Sequence, residues 1–583
     1  MREHRRTCSL CEALCGVVVE QDSDGTVKRI RGNKNDPLSR GHVCPKAMAL
    51  KDLHEDEDRL RSPVMKIDGG WREIPWDMAI RRAGEVLHVM QEHYGRNAIG
   101  IYNGNPNAHH YSNLIGGVLL RQTIRTKNQY SATSVDQLPH HFAALHMFGH
   151  QLLLPVPDLE RTDLLFIMGG NPMVSNGSIM TAPDFKHRMR EIQRRDGRIV
   201  VIDPRRTETA DNADEHVFIR PGTDTFMLLA MLQVIFEEDL ALLGDWRRHI
   251  DGLKKLRKTV KLFTPERAET HSGVPADTIR RLAREFATTK RAAFYGRIGI
   301  TTQEFGGLNA WLIYALNVVA GHFDTEGGVM FTSPAVDVVG LSSQLGQAGS
   351  FDRWRSRVSD QPEFGGELPV STLAEEIETP GDGQIKAVVT IAGNPVLSIP
   401  NGDRLDRALE QVEFVLSIDP YINETTRHAD IIIPPPSPLE RDHFGLVFHG
   451  LAVRNTVKYS EPLFEPPKHV HDEWETMLAL ANRITECRDE SRGVFQSAML
   501  KIFEKKGPPA VLDLLLRSGP HGKLTSFFSD DGITLEKLRE NPDGFDLGPL
   551  ESKGHKVLQT RNGKLQLAPD ILVDDLSRLE DAF

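Results

Sequence analysis

Cysteine is almost absent from most of this chain: of 583 residues five are cysteine, and none lies between Cys44 and Cys487. So thin a supply excludes a disulfide scaffold. Long apolar runs are missing too, and none approaches the ~18 residues that a bilayer-crossing helix needs. Basic charge is in deficit: a net charge of -11 excludes a general phosphate-tracking surface. Met1–Ser9 is basic but leads into no apolar segment, so its Arg5-Arg6 pair makes a poor twin-arginine leader, and a cytoplasmic location is the expectation. What remains is ordinary for a globular protein, with 39% apolar and 26% charged residues. The length calls for roughly three or four domains.

The cysteines that are present are concentrated. Four follow the pattern Cys8-x2-Cys11-x3-Cys15-x28-Cys44, while Cys487 stands alone in a charged helical stretch and reads as an ordinary thiol. A [4Fe–4S] cubane needs four converging thiolates, which three from one tight turn and one from a distant loop supply. Structural zinc also accepts four thiolates, but its ribbons usually pair two Cys-x2-Cys knuckles. A triplet followed by a lone cysteine favours iron–sulfur. Gly41 and Pro45 give the fourth ligand its turn.

The segment Cys8–Cys15, with Gly41-His-Val-Cys44-Pro-Lys46, resembles the amino-terminal cluster domain of the dimethyl sulfoxide reductase family of molybdopterin oxidoreductases, which includes formate dehydrogenases and nitrate reductases. The resemblance runs along essentially the whole chain. It implies a [4Fe–4S] cluster on Cys8, Cys11, Cys15 and Cys44 and a bis(molybdopterin guanine dinucleotide) cofactor holding molybdenum or tungsten. It also places Lys46 between the two, on the electron path.

Past the cluster, short β-type runs alternate with amphipathic helices, the α/β signature. The runs are Asn97–Tyr102, Asp163–Met168, Arg198–Ile202, Ala292–Tyr295, Ala387–Ile391 and Phe414–Ile418; Phe226–Glu237 and Asn309–Ala320 have helical periodicity. An internal echo is visible without any relative. Ile202–Asp214 aligns with Ile418–Asp430 at seven identities in thirteen, and upstream of each stands a strand followed by Gly169-Gly170-Asn171-Pro172 or Gly393-Asn394-Pro395. Two echoes in the same order predict duplicated α/β halves with a pseudo-two-fold relation. Taken singly, Asn-Pro and Asp-Pro would merely end strands.

Placed after paired strands, these loops become candidate nucleotide contacts: the amides near Gly169 and Gly170 for a diphosphate, Asp203 and Asp224 for a guanine edge. The resemblance points to the same stretches, Gly170–Pro172, Asp203-Pro204-Arg205 and Pro221-Gly222-Thr223-Asp224, with Asp419 the counterpart of Asp203. Thr223 or Asp224 is a candidate helix cap. Arg353, Trp354, Arg355 and Arg357 read as a solvated loop rather than a substrate funnel.

In most relatives one side chain binds the metal. Here the corresponding segment reads Asn128–His141 without a cysteine, and Asp136 falls where the ligand is expected; a carboxylate suits an oxophilic metal. A helix cap is the alternative role for Asp136, and Ser131 and Ser134 are alternative metal-side groups. His140 and His141 are candidate proton relays titrating near neutrality, with at most one facing the site. Asp136-Gln137 in place of a cysteine–histidine pair puts formate in doubt. The expected fold is multidomain α/β: a small Fe–S lobe (1–60), two Rossmann-like domains (61–125 with 331–480, and 126–330), a helical return (481–550) and the start of a truncated β-rich domain (551–583), with Leu565 and Leu567 poorly packed. The function implied is electron transfer between a small substrate at the metal and the cluster, then to a redox partner. A non-catalytic Fe–S subunit and a non-redox hydratase are the rivals.

Overall fold

The computed structural model describes residues 2–488, 494–523 and 531–583. Its chain divides into two compact units, Met1–Val135 with Ser350–Val447 and Lys458–Phe545, and Asp136–Gly349 with Phe448–Val457 and Asp546–Phe583. The stretch 481–550, read as a helical return, lies partly outside the described residues.

The first unit carries a seven-stranded sheet. Gln129–Ser131, Ile99–Asn103, Ala387–Ile391, Phe414–Ile418 and Ile431–Ile433 run parallel in that order, and the hairpin Val64–Ile67/Gly70–Glu73 closes the edge antiparallel. Its central strands are buried on both faces, as parallel sheets demand. Ala387, Val389 and Ile391 face helices Trp76–Tyr94, Tyr111–Ile124 and Glu473–Cys487; Val388, Val415 and Ile432 face Leu373–Glu378 and Gly402–Leu409. The same unit contains a separate antiparallel sheet, Arg2–Thr7, Gly16–Gln21 and Val27–Gly32, with its own small core.

The second unit carries four parallel strands in the order Glu215–Val217, Arg198–Ile202, Leu164–Met168, Ala292–Gly296. Helices Asp224–Glu237 and Gly306–Val319 are buried almost throughout, which explains their near-continuous apolar character. Leu565 and Leu567, expected to pack poorly, are fully buried. Leu565 pairs with Ile250 in a short parallel ladder, and the Trp311 indole donates to the Leu567 carbonyl at 2.9 Å. Satisfying that buried indole N–H is what ties the segment down.

Within each unit the echo is structural. Leu164–Met168, Arg198–Ile202 and Glu215–Val217 correspond to Ala387–Ile391, Phe414–Ile418 and Ile431–Ile433 in order and direction. The fourth place is filled by Ala292–Gly296 in one unit and Ile99–Asn103 in the other, strands that fall after and before the repeat in sequence.

Candidate functional site

The thiol cluster is built on a hairpin. Thr7 and Gly16 are the last paired residues of the first two strands, and the Cys8 amide closes the turn on the Cys15 carbonyl at 2.8 Å. Cys8, Cys11 and Cys15 are thus gathered by one connection. The Cys44 loop reaches them because Gly32 lies directly under Gly41, where any side chain would strike the Gly41 carbonyl. All four cysteines are free thiols. Burial pushes the Cys8 thiol up to about 12 and raises Cys11 and Cys15, while the neighbouring sulfurs raise them further and Lys46 opposes this at Cys8 and Cys11. Four thiols, three of them from one turn, are the donor chemistry a [4Fe–4S] cluster takes, although among the described residues no three such side chains are set to hold a single metal ion.

The strand-end loops of the two units share a common set of side-chain bonds. Asn171 donates to Glu208 at 2.7 Å and accepts from the Thr209 hydroxyl at 2.7 Å; Asn394 does the same with Glu424 and Thr425 at the same distances. Each threonine hydroxyl also accepts a backbone amide at 3.1 Å, from Met173 and Val396. Asp214 and Asp430 accept the Ile199 and Val415 amides at 2.8 Å, and Asp203 and Asp419 each accept the amide two residues on. Gly169 and Ala392 open the loops with left-handed φ of 61° and 52°. Pro172 and Pro395 then begin four-residue helices, where a missing N–H costs nothing.

In the second unit Asp203 and Asp224 are buried, and burial raises both. Asp224 accepts from the Gln303 amide at 2.9 Å; Gln303 Oε1 is buried without a hydrogen-bond partner among the described residues. Buried carboxylates with no ion pair among the described residues, beside a carbonyl oxygen with no partner there, suit an N–H-rich edge such as guanine. Arg205 is largely exposed and pairs with Glu208, and Pro221 and Gly222 lie at the surface. Thr223 stands at the cap position, but its hydroxyl donates to the Arg220 carbonyl, and neither it nor Asp224 is a side-chain cap.

In the first unit, burial raises the Asp419 carboxyl to about 7. A carboxyl raised above its unfolded value near 3.9 destabilises the fold as pH climbs from there through 7. Asp419→Asn is therefore expected to be more stable than wild type at pH 8 and to lose that advantage by pH 4, as denaturant midpoints would show. Equal midpoints at both values would refute the raised carboxyl.

Asp136 does not cap the helix Leu138–Phe148: Gln137 holds that position without a side-chain bond. Its Oδ1 is instead engaged by the Arg297 guanidinium, whose Nε donates to Ser178 Oγ at 2.7 Å. Arg297 is 4% exposed, and its Nη1 has no hydrogen-bond partner among the described residues. It follows Ala292–Gly296, and its amide bonds Met168 O, so the pair lies at the strand ends that carry Gly169 and Gly170. Ser131 and Ser134 are engaged elsewhere: Ser131 donates to Glu367 at 2.5 Å, and Ser134 accepts the Val370 amide.

The histidines depart from expectation. His140 Nδ1 meets the Tyr314 hydroxyl at 3.0 Å and the ring lines a cavity of about 20 Å³, space for one water. His141 Nδ1 meets the Gln151 carbonyl at 2.8 Å. Burial, with the Arg297 charge adding to it, lowers them to about 3 and about 4, so neither titrates near neutrality. Unfolded histidine protonates near 6.5, so the stability their neutral forms contribute is complete above that pH and drains as pH falls towards 4. His140→Gln is expected to flatten the decline of the unfolding midpoint between pH 6.5 and 5; an identical slope would refute it.

Arg353, Arg355 and Arg357 each bind carboxylates, Glu363, Asp352 with Asp360, and Glu376, on and beside a hairpin. Sequence reasoning missed Arg297 and Gln303, which follow a recognised strand end. It also missed Glu208 and Glu424, which were visible as identities within the echo.

The molybdopterin oxidoreductase model matches residues 59–483, and the molybdopterin oxidoreductase Fe4S4 domain matches residues 1–55. The chain belongs to the molybdopterin oxidoreductase family. Its cofactors are a molybdopterin carrying molybdenum or tungsten and a [4Fe–4S] cluster. It is 26% identical over 491 residues to the F420-dependent formate dehydrogenase subunit alpha of Methanocaldococcus jannaschii, covering 82% of this chain and 69% of that one. It is also 26% identical over 510 residues to a nitrate reductase of Symbiobacterium thermophilum, covering 82% and 66%. Acetylene hydratase from Pelobacter acetylenicus shares the fold at a TM-score of 0.78 and 18% identity, over 98% of this chain and 78% of that one. No helix among the described residues is long and apolar enough to cross a membrane.

Proposed function

We propose that this chain is a cytoplasmic oxidoreductase that exchanges electrons between a small substrate at a bis(molybdopterin guanine dinucleotide) metal and a [4Fe–4S] cluster held by Cys8, Cys11, Cys15 and Cys44. The observation that carries the reading is the duplication of the side-chain bonds that Asn171 and Asn394 make: two similar strand-end loops suit a cofactor with two dinucleotides. The metal supplies the substrate redox chemistry. The protein's own groups position it. Gly169–Pro172 and Gly393–Pro395 present loop backbone to the diphosphates, while Asp203, Asp224 and Asp419 receive guanine N–H groups. Pro204, Arg205, Pro221 and Gly222 border them.

Asp136 approaches the metal with Arg297 balancing its charge, and Lys46 lies beside Cys8 and Cys11 on the way to the cluster. His140 and His141, neutral and hydrogen-bonded, orient the Asp136 segment. Electrons leave to a redox partner protein. Elemental analysis with electron paramagnetic resonance of anaerobically purified protein tests the reading. Iron and molybdenum or tungsten together, with a cluster signal that bleaches or appears on dye-linked turnover, are expected. Zinc in place of iron, or a cluster indifferent to every dye-coupled substrate, would reject electron exchange.

A further inference from the structure

One buried ion pair stands apart from the loops described so far. Lys458 and Asp36, with side chains 2% and 1% exposed, pair directly, and the Lys458 ammonium also donates to the Leu14 carbonyl. Leu14 has φ of +51°, a left-handed conformation that an L-residue keeps only where its surroundings impose it. Asp36 accepts from the Ser39 amide at 2.6 Å and the Ser39 hydroxyl at 2.8 Å, and that hydroxyl accepts the Gly16 amide at 3.0 Å. The residues on both sides of Cys15 are therefore held by this one pair. The Leu14 carbonyl belongs to the peptide that leads into Cys15, so the Lys458 ammonium sits against the backbone of that residue.

A buried ion pair is weak as a source of stability, because desolvation offsets the attraction. Its placement here does something else. We infer that Lys458 is a positioning residue of the cluster: anchored by Asp36, it clamps the Leu14–Cys15–Gly16 turn and sets a fixed positive charge beside Cys15 that makes the cluster easier to reduce. Reduction adds negative charge, and a nearby cation stabilises the reduced form. The Lys458 side chain is buried, so salt screens its charge little.

The inference rests on the four cysteines holding the cluster, and the experiment separates the two. The cluster midpoint is measured by redox titration with paramagnetic resonance, at low and high salt, on full-length wild type, Lys458→Met and the uncharged pair Asp36→Asn/Lys458→Met. The double variant removes the unpaired Asp36 that would burden the single one. Both variants are expected to titrate at lower potential than wild type, with the shift unchanged by salt. A folded double variant that no longer retains iron also supports the clamp. A wild-type midpoint in the double variant at full iron content overturns the inference and leaves the cluster reading intact. Wild-type protein without iron overturns both.

Discussion

Cys15→Ser is expected to bring iron content from a full cluster to near zero and to erase the reduced-cluster signal, while the α/β body stays folded. Cys15 is 3% exposed, belongs to the small core of the amino-terminal sheet and sits at a turn fixed on both sides. A serine there offers a shorter, harder donor that does not replace a thiolate on iron. The loss stays local because that core, which includes Val17, Val19, Val27 and Ile30, is separate from the cores lining the seven-stranded sheet. Iron analysis, resonance spectroscopy and far-ultraviolet circular dichroism on one preparation check it. Full retention of iron in Cys15→Ser and Cys11→Ser would remove these residues from the cluster, and global unfolding would show the lobe to be integral to the body.

The echo shows why the strand-end loops were legible in the sequence. Its identities fall on residues that make the bonds: Asp203 and Asp419, Glu208 and Glu424, Thr209 and Thr425, Asp214 and Asp430. Side chains that satisfy buried backbone or fix a loop tolerate few replacements, whereas Arg205-Arg206 and Tyr421-Ile422 diverge; Thr207 and Asn423 differ in type yet each accepts backbone amides in its own loop. The parallel strands were legible because burial on both faces leaves continuous apolar runs, and Arg198–Ile202, Ala387–Ile391 and Phe414–Ile418 begin and end as expected.

Long-range polar pairing was not legible. Nothing near Asp136 announces Arg297, 161 residues on in the same unit, nor does anything near Cys15 announce Lys458. Ion pairs have no periodicity, and a lysine or arginine in sequence reads as solvated until its surroundings are known. The histidines failed for the same reason. Their residue type suggests neutrality, and only burial beside Arg297 shows that they stay uncharged.

Asp136→Ala is expected to abolish turnover and to alter the metal's X-ray absorption spectrum while cluster content stays near wild type. With Oδ1 engaged by Arg297, Asp136 has its other carboxylate oxygen to offer the metal, and its side chain is 35% exposed against 5% for Arg297. The mutation also strips a buried guanidinium of its counter-charge, a cost of about 2–4 kcal/mol between the surface and fully buried limits. That exceeds the ~0.5–2 kcal/mol of a lost helix cap, so stability alone does not distinguish a ligand from a counter-ion. Asp136→Ala/Arg297→Met removes both charges and should recover most of the lost stability. If Asp136 binds the metal, the double variant stays inactive with the same altered spectrum. If turnover returns with the charge balance, or the spectrum never changes, Asp136 serves only to neutralise Arg297, and the metal takes its protein ligand elsewhere.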